Sequence, residues 1–417
     1  MSQKTDVVVL GAGIIGVCIA LHLQARGRAV MLVDRRAPGE ETSHGNAGLI
    51  ERSSVVPYAF PRNIKTLLAY ATNCSPAVRY EPSFLPRILP WLARYWWHSS
   101  PKRLAHATRD MLPLIERSVS EHEVLATQAG ANALIRPEGW IELYRSQHSF
   151  LRAQKDAAAK AEFALLYDIL DAQALRRREP AIRGNVVGAI HWRDPAAARD
   201  PGALTRAYAD LFVRRGGEFL SGDARTLQET AEGWSIEIGT ARHFARNAVI
   251  ALGPWSDEIY RPLGYRFPMA VKRGYHMHYS AEGGATLSHP VCDVEAGFVL
   301  APMTQGIRLT TGIELAPRDA PPSPRQLDIT ERIGREIFPL GRPLDARAWL
   351  GSRPCFPDMK PIIGPALRHK GLWFAFGHAH HGFTLGPATG RLLAEAMTGE
   401  ETFTDIAPYR ADRFWEG

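Results

Sequence analysis

The chain has 417 residues, 45% hydrophobic and 22% charged, the ordinary balance of a globular protein in water and long enough for a large core in two domains. Its four cysteines, Cys18, Cys74, Cys292 and Cys355, are scattered without a CxxC pair, which excludes a disulfide framework and a cysteine metal cluster and points to a reducing compartment. The net charge of +7 comes without a long basic block, so it reads as arginines on solvated helix faces, with no nucleic-acid partner expected.

The first element carries the most information. Asp6 to Leu10 predicts a strand, Gly11-Ala-Gly-Ile-Ile-Gly16 a glycine-rich turn opening a helix, Gly27 its end, and Val30 to Asp34 a second strand. Gly11 permits the tight turn, Gly13 lets a pyrophosphate approach the backbone, and Gly16 lets helix and strand pack closely. The phosphates then face a helix N-terminus, and Asp34 stands where a carboxylate accepts ribose hydroxyls. Residues 7–23 are nearly all apolar, but three glycines interrupt them and Asp6 precedes them without a basic leader. They read as a buried strand and helix, not as a signal sequence or a span of about 20 apolar residues.

Asp34 to Pro61 is rich in Gly, Ser, Asn and Pro and reads as loop. Phe84 to about Leu125 predicts helix, broken at Pro86, Pro90, Pro101 and Pro113. A strand at Gly139–Tyr144, a helix at Ser149–Phe163 and a strand at Val186–Trp192 follow. Asp200-Pro201 is an N-cap and N1 pair for a helix ending near Gly216. Strands are predicted near Glu218–Ser221, Trp234–Ile238, Ala248–Leu252, Ala270–Tyr279, Phe298–Pro302 and Ile307–Gly312, a helix at Ile329–Phe338, a strand at Leu372–Ala375 and a helix from Pro387 to about Met397. The fold class is therefore α/β: a discontinuous Rossmann-like dinucleotide domain (1–60, 195–262 and 345–417) and a second α+β substrate domain on a mainly antiparallel sheet (61–194 and 263–344).

Four further stretches stand in a fixed order: Glu41-Thr-Ser-His-Gly-Asn-Ala-Gly48, Val249-Ile-Ala-Leu-Gly-Pro-Trp-Ser256, Gly351-Ser-Arg-Pro-Cys-Phe-Pro-Asp-Met-Lys-Pro-Ile-Ile-Gly364 and Gly377-His-Ala-His-His-Gly-Phe-Thr-Leu-Gly-Pro-Ala-Thr-Gly390. With the N-terminal unit they resemble the D-amino-acid oxidase-like superfamily of FAD-dependent oxidoreductases, and within it the D-amino-acid dehydrogenase branch. The resemblance implies non-covalent FAD, held on its ADP side by Gly11, Gly13, Ile15, Gly16, Asp34 and Arg35, with Ala224, Ala251, Gly253 and Trp255 lining the same half. Thr42, Ser43, His44, Asn46, Ala47, Gly48 and Leu49 would meet the pyrophosphate and flavin ring. Gly382, Phe383, Thr384 and Leu385 would reach the pyrimidine edge from a helix start, which favours negative charge.

For the substrate, the resemblance implies Arg353 as the partner of a carboxylate, with a salt bridge to Asp358 as the structural alternative. His380 stands where glycine oxidase-like relatives carry a second arginine, and Phe298 where they carry a tyrosine. A protonated His380 would anchor a carboxylate below its pKa and release it above. A metal on His380 and His381 is not expected, since no carboxylate lies near them in the sequence. His44 is either a flavin contact or a satisfied polar neighbour, and Tyr275 either a pocket wall or core packing. Cys355 lies near where sarcosine oxidase-like relatives attach FAD, but the spacing to the next Asp differs.

The function implied is oxidation of a D-amino acid, or a cyclic imino acid such as a D-proline derivative, to the imine and 2-oxo acid. Electrons would pass to a quinone, an electron-transfer protein or another non-oxygen acceptor. The alternatives are a glycine/sarcosine oxidase-like enzyme using O2, an FAD-dependent 2-hydroxy acid dehydrogenase, and a non-catalytic flavin-carrying subunit. The expected location is the cytoplasm. Trp91, Trp96 and Trp97 form either a packed lid or a peripheral contact with the inner face of the membrane.

Overall fold

The computed structural model describes residues 5–414. An eight-stranded sheet forms its first layer. The parallel core of this sheet runs Glu218–Ser221, Val30–Asp34, Thr5–Leu10, Ala241–Ile250 and Leu372–Phe376, each paired with the next. Both faces are covered. Val7, Val9 and Leu32 pack with the first and last helices, while Val8, Leu10, Met31 and Val33 pack with Trp234, Tyr260 and Phe374. That two-sided burial is why the strands read as continuous apolar runs. The strand expected at Ala248–Leu252 is the end of the longer Ala241–Ile250 strand.

The two ends of the chain meet on this sheet. Helix Ile14–Gln24 packs against helix Gly382–Thr398 closely enough that a Cβ at Gly390 would lie 2.6 Å from the Cys18 carbonyl carbon, and one at Gly386 2.7 Å from Ile14 Cγ1. Only glycine allows that approach.

An eleven-stranded sheet forms the second layer around the long strand Ala270–Ala281. Trp349–Cys355 pairs with it antiparallel, Arg353 opposite Lys272, and Gly306–Thr310 pairs along its other edge. The boundary expected at 345 is thus misplaced for this strand, which belongs to the second sheet. Ile362–Pro365 and Leu372–Phe376 then return the chain to the first. Composition did not reveal this crossing because strand pairing leaves no local mark in the sequence.

Residues 85–129 form three helices, Leu85–His98, Pro101–Glu116 and Ser118–Ala129. Pro101 opens a helix, but Pro90 and Pro113, expected as breaks, lie inside helices. The last helix likewise starts at Gly382 and not at Pro387. An internal proline removes the N–H that the carbonyl four residues earlier would accept. For Pro387 that carbonyl belongs to Phe383, and the buried His122 replaces the lost donor, its Nε2–H reaching the Phe383 oxygen at 2.8 Å. The Asp200 side chain caps Pro201–Arg214 by accepting from the Ala203 N–H at 2.9 Å.

Burial pulls His122 from 6.5 to about 4, so it is neutral in the folded state. Below pH 6.5 the unfolded chain takes up a proton that the native one refuses, and stability falls toward pH 4 by up to about 1.4 kcal/mol per pH unit from this group. Replacing His122 with Leu leaves the Phe383 carbonyl orphaned, at a cost of about 1–3 kcal/mol. The His122→Leu variant is therefore expected to unfold at lower temperature at neutral pH and to lose less on acidification. Calorimetric melts at several pH values check both.

Candidate active site

A cavity of about 770 Å³ is lined from both sheets. At one end lie Gly11, Gly13, Asp34, Ala224, Gly253 and Trp255. Gly11 has φ +108°, and a Cβ there would lie 2.5 Å from the Ala251 carbonyl oxygen. Gly13 is the N-cap of the first helix and offers no capping side chain, so the helix N-terminus is left for an anion. The Asp34 carboxylate accepts from the backbone N–H groups of Ala12 (2.7 Å) and Arg36 (3.1 Å), which fixes the turn against the second strand. Ile15, Arg35 and Ala251 also line the cavity, Arg35 with its guanidinium 4.7 Å from the Trp255 ring centroid. A glycine cradle, an uncapped helix start and an acid at the second strand fit the ADP half of FAD.

Thr42, Ser43, Asn46, Ala47 and Leu49 line the middle of the cavity. The Ser43 hydroxyl accepts from the Ile14 N–H at 3.0 Å, tying this loop to the first helix. A residue without a motif holds it from behind. The buried Arg308 donates through Nη1 to the carbonyls of His44 (3.0 Å) and Asn46 (2.5 Å). Its Nε donates to His278 Nε2 at 3.0 Å, and His278 Nδ1 faces Asp345 at 2.8 Å. Burial pulls Arg308 down to about 10, so it stays charged at neutral pH.

Several expected contacts lie outside the cavity lining. The His44 ring sits behind the loop, 6.0 Å from His276 and 6.1 Å from Trp349 between centroids. Gly16 lies under Gly11, where a Cβ would stand 1.8 Å from the Gly11 oxygen, and Gly48 turns against Ala198. Leu385 is core. The Thr384 hydroxyl links the Leu49 carbonyl (3.1 Å) to the Glu51 N–H (3.2 Å). Gly382 and Phe383 do line the cavity.

At the far end stands Arg353. Its Nη1 donates to the Gly312 carbonyl at 3.1 Å and the Arg273 carbonyl at 3.5 Å. Among the described residues no carboxylate lies within 4.0 Å of it; the alternative partner Asp358 is taken by Arg413 at 2.8 Å. Burial pulls its pKa down, and Cys355, Glu51 and Tyr58 pull it back up. Tyr275 reaches the cavity wall, but its hydroxyl is committed to Glu314 (2.9 Å), Arg273 (3.2 Å) and the Ser323 N–H (2.7 Å). Phe298 is core, away from the cavity lining. The Cys355 thiol, pushed up by burial, lies 3.3 Å from the Arg353 carbonyl oxygen.

His380 and His381 also line this end, on a turn where Ala379 has φ +53°. The His380 ring meets the Tyr58 ring edge-on at 4.4 Å. Two expectations fail here. Burial, then His381, Arg353 and Lys272, drive His380 well below 6.5, so it is neutral and cannot be a cationic anchor. A carboxylate does lie near the pair, because Glu51 Oε2 is 3.7 Å from His381 Nε2. Glu51, Tyr58 and Arg308 were not singled out from sequence. The first two follow directly on the Thr42–Gly48 loop, which was a usable signal; Arg308 sits in an unmarked strand.

The chain matches the DAO family model, described as FAD dependent oxidoreductase, over residues 6–396. It is 30% identical to a protein named D-amino-acid oxidase from Bradyrhizobium diazoefficiens, covering 99% of this chain and 100% of the relative. It is also 30% identical to one named D-amino acid dehydrogenase from Methylobacterium nodulans, with 94% and 95% covered. Among solved structures, glycine oxidase from Geobacillus kaustophilus superposes with a TM-score of 0.76 at 19% identity, covering all of both chains.

The neutral state of His380 has a kinetic consequence. An acid limb in log(kcat/KM) near pH 6.5, if present, is expected to survive in His380→Asn. Its disappearance in that variant would show that His380 titrates in the working range and contradict its burial.

Proposed function

The chain belongs to the DAO family of FAD-dependent oxidoreductases, and on that premise we propose that it oxidises a D-amino acid, or a cyclic imino acid such as a D-proline derivative, to the imine and 2-oxo acid. The observation that carries this reading is Arg353, a half-buried guanidinium on the cavity wall without a carboxylate partner among the described residues. A planar fork of donors matches a carboxylate with two parallel hydrogen bonds. The names of the two relatives, an oxidase and a dehydrogenase of D-amino acids, support the same substrate class.

Bound FAD supplies the hydride acceptor, which no side chain here can provide. Arg353 fixes the substrate carboxylate and so sets where Cα–H points, and positioning of this kind supplies much of a rate. No side-chain base is required, because the neutral amine's lone pair forms the C=N bond as hydride leaves Cα. Water then hydrolyses the imine. Tyr58 and Tyr95 wall the substrate end, the Tyr95 hydroxyl donating to the Tyr58 carbonyl.

The acceptor in this reading is a quinone, reached from a membrane surface. Helices Ile64–Ala71 and Leu85–His98 contribute Tyr70, Leu92 and Tyr95 to the cavity wall. Outside the cavity, Ile64, Leu68, Leu89 and Trp97 are each at least 52% exposed. Glu81 is the only acid between Arg52 and Asp110, against Arg62, Lys65, Arg87, Arg94, Lys102 and Arg103 among others. Exposed apolar side chains on a segment rich in cations suit an anionic bilayer surface. Among the described residues no helix is long and apolar enough to cross a membrane. The Bradyrhizobium relative's name favours O2 as the second reading, and stoichiometric peroxide during turnover would select it.

Arg353→Ala is expected to lower kcat/KM by about 2–5 kcal/mol in transition-state terms. The flavin released into the supernatant by acid should equal that of the wild type. Normal turnover in the variant would place the carboxylate elsewhere.

The protein is also expected to sediment with vesicles containing phosphatidylglycerol and not with pure phosphatidylcholine. Serine at Ile64, Leu68 and Trp97 together should abolish that, with flavin content retained. Equal recovery with both vesicle types would remove the membrane reading.

A further inference from the structure

Leaving aside Asp34, Arg35, Glu41, Asp223, Arg225 and Glu258, the charged groups of the cavity fall into two sets. Arg353 and Lys272 supply the positive one. Glu51 and Glu142 supply the negative one, and among the described residues neither has Lys or Arg within ion-pair distance. Glu51 Oε2 accepts from the Ser54 hydroxyl at 2.5 Å, and Glu142 Oε2 from the Tyr144 hydroxyl at 2.8 Å. The two carboxylates act as one region. Burial pushes Glu142 up, with the Glu51 charge adding to it, and both raise the Tyr58 hydroxyl and the Cys292 thiol in the wall beside them. Burying Glu51 without a cation at ion-pair distance is costly.

A second observation is independent of the acids. His381 is 4% exposed, lines the cavity, and its Nε2 has no hydrogen-bond partner. His380 Nε2 is in the same condition. So a carboxylate whose hydrogen-bond partner is a single hydroxyl and two imidazoles with unpartnered Nε2 atoms face one space, their ligand atoms within 4.8 Å of one another. A divalent metal would meet this set geometrically, but Arg353 and Lys272 stand close enough to act on His380 and would repel it. An organic monocation fits better, since its N–H groups can donate to carboxylate and neutral imidazole together.

We propose that this wall recognises a cationic side chain, so that the preferred substrate is a D-amino acid with a second, positively charged nitrogen. Glu51, backed by Glu142, holds that nitrogen while Arg353 holds the carboxylate. The inference rests on the reading of Arg353 given above. It makes Glu51 a specificity-determining residue and gives the unpartnered histidine nitrogens an occupant.

The test uses the FAD-loaded enzyme with two non-oxidisable probes, pentanoate and 5-aminopentanoate, whose dissociation constants are measured by calorimetry. It also uses two substrates, D-norleucine and D-lysine, compared by kcat/KM. The aminated member of each pair is expected to win by about tenfold or more. Glu51→Gln should bring both ratios close to one, and Glu51→Asp should restore part of the preference. Equal affinity for the two probes, or ratios unmoved by Glu51→Gln, would overturn the proposal. Should that variant fail to fold, Glu142→Gln must lower the same ratios, and unmoved ratios overturn the proposal there too. Arg353→Ala should weaken both probes alike. If it weakens neither, the carboxylate reading itself has failed; if it weakens both while the amine adds nothing, only the cation site has.

Discussion

The cavity is held together by a contact between two helices at opposite ends of the chain. Cys18 and Gly390 approach so closely that any side chain on the latter would drive the helices apart. The first helix presents its N-terminus at Gly13, and Ser43 ties the adjoining loop to it. The last helix begins at the His380–His381 turn, and Thr384 reaches from it to the backbone of Leu49 and Glu51. Nucleotide end, middle loop and substrate end are thus registered to one another through backbone contacts. These tolerate little displacement, because interiors are packed like crystals. The internal proline at 387 sits within this element, and His122 covers the carbonyl it frees.

Electrostatics in this molecule follow from burial more than from pairing. Arg353 keeps its charge on two carbonyl dipoles, and Arg308 on two others plus an imidazole. Both guanidiniums hold loops and strands in place with donors that a lysine could not direct in a fixed plane. The histidines behave oppositely. Burial brings His276 to about 2, His378 to about 3 and His122 to about 4, so they serve as neutral hydrogen-bonding groups and not as switches. The charges that remain in the cavity are those with little freedom to move, which suits the proposed task of orienting a zwitterion.

The legible part of the sequence was the part governed by local rules. Gly11, Gly13, Asp34 and the Asp200-Pro201 cap declare themselves because backbone geometry dictates their residue types. Arg353 and the C-terminal glycines were found through family-like motifs. What escaped was set by tertiary context. Trp349–Cys355 joins the second sheet, and the sequence around it carries no sign of its partner. Pro90, Pro113 and Pro387 remain inside helices, at least the last because a distant residue satisfies the freed group. From sequence His44 is either a flavin contact or a satisfied polar neighbour; only the fold shows that Arg308 takes its carbonyl and that its ring lies near His276.

His380 shows how one position changes meaning between sequence and structure. Read in the chain, it replaces an arginine of glycine oxidase-like relatives and suggests a weaker, titratable anchor of the same sign. In the fold, burial and the neighbouring Arg353 and Lys272 strip its charge. Glu51 then stands beside the pair. Relative to an arginine at that position, one positive charge is gone while Arg353 stays in place. A cavity that carries a cationic and an anionic group side by side discriminates by the distance between charges on its ligand and not by net charge, because each misplaced group leaves a partner unpaired. On the proposed reading, the substitution therefore bears on which amino acid is held and leaves the grip on its carboxylate to Arg353.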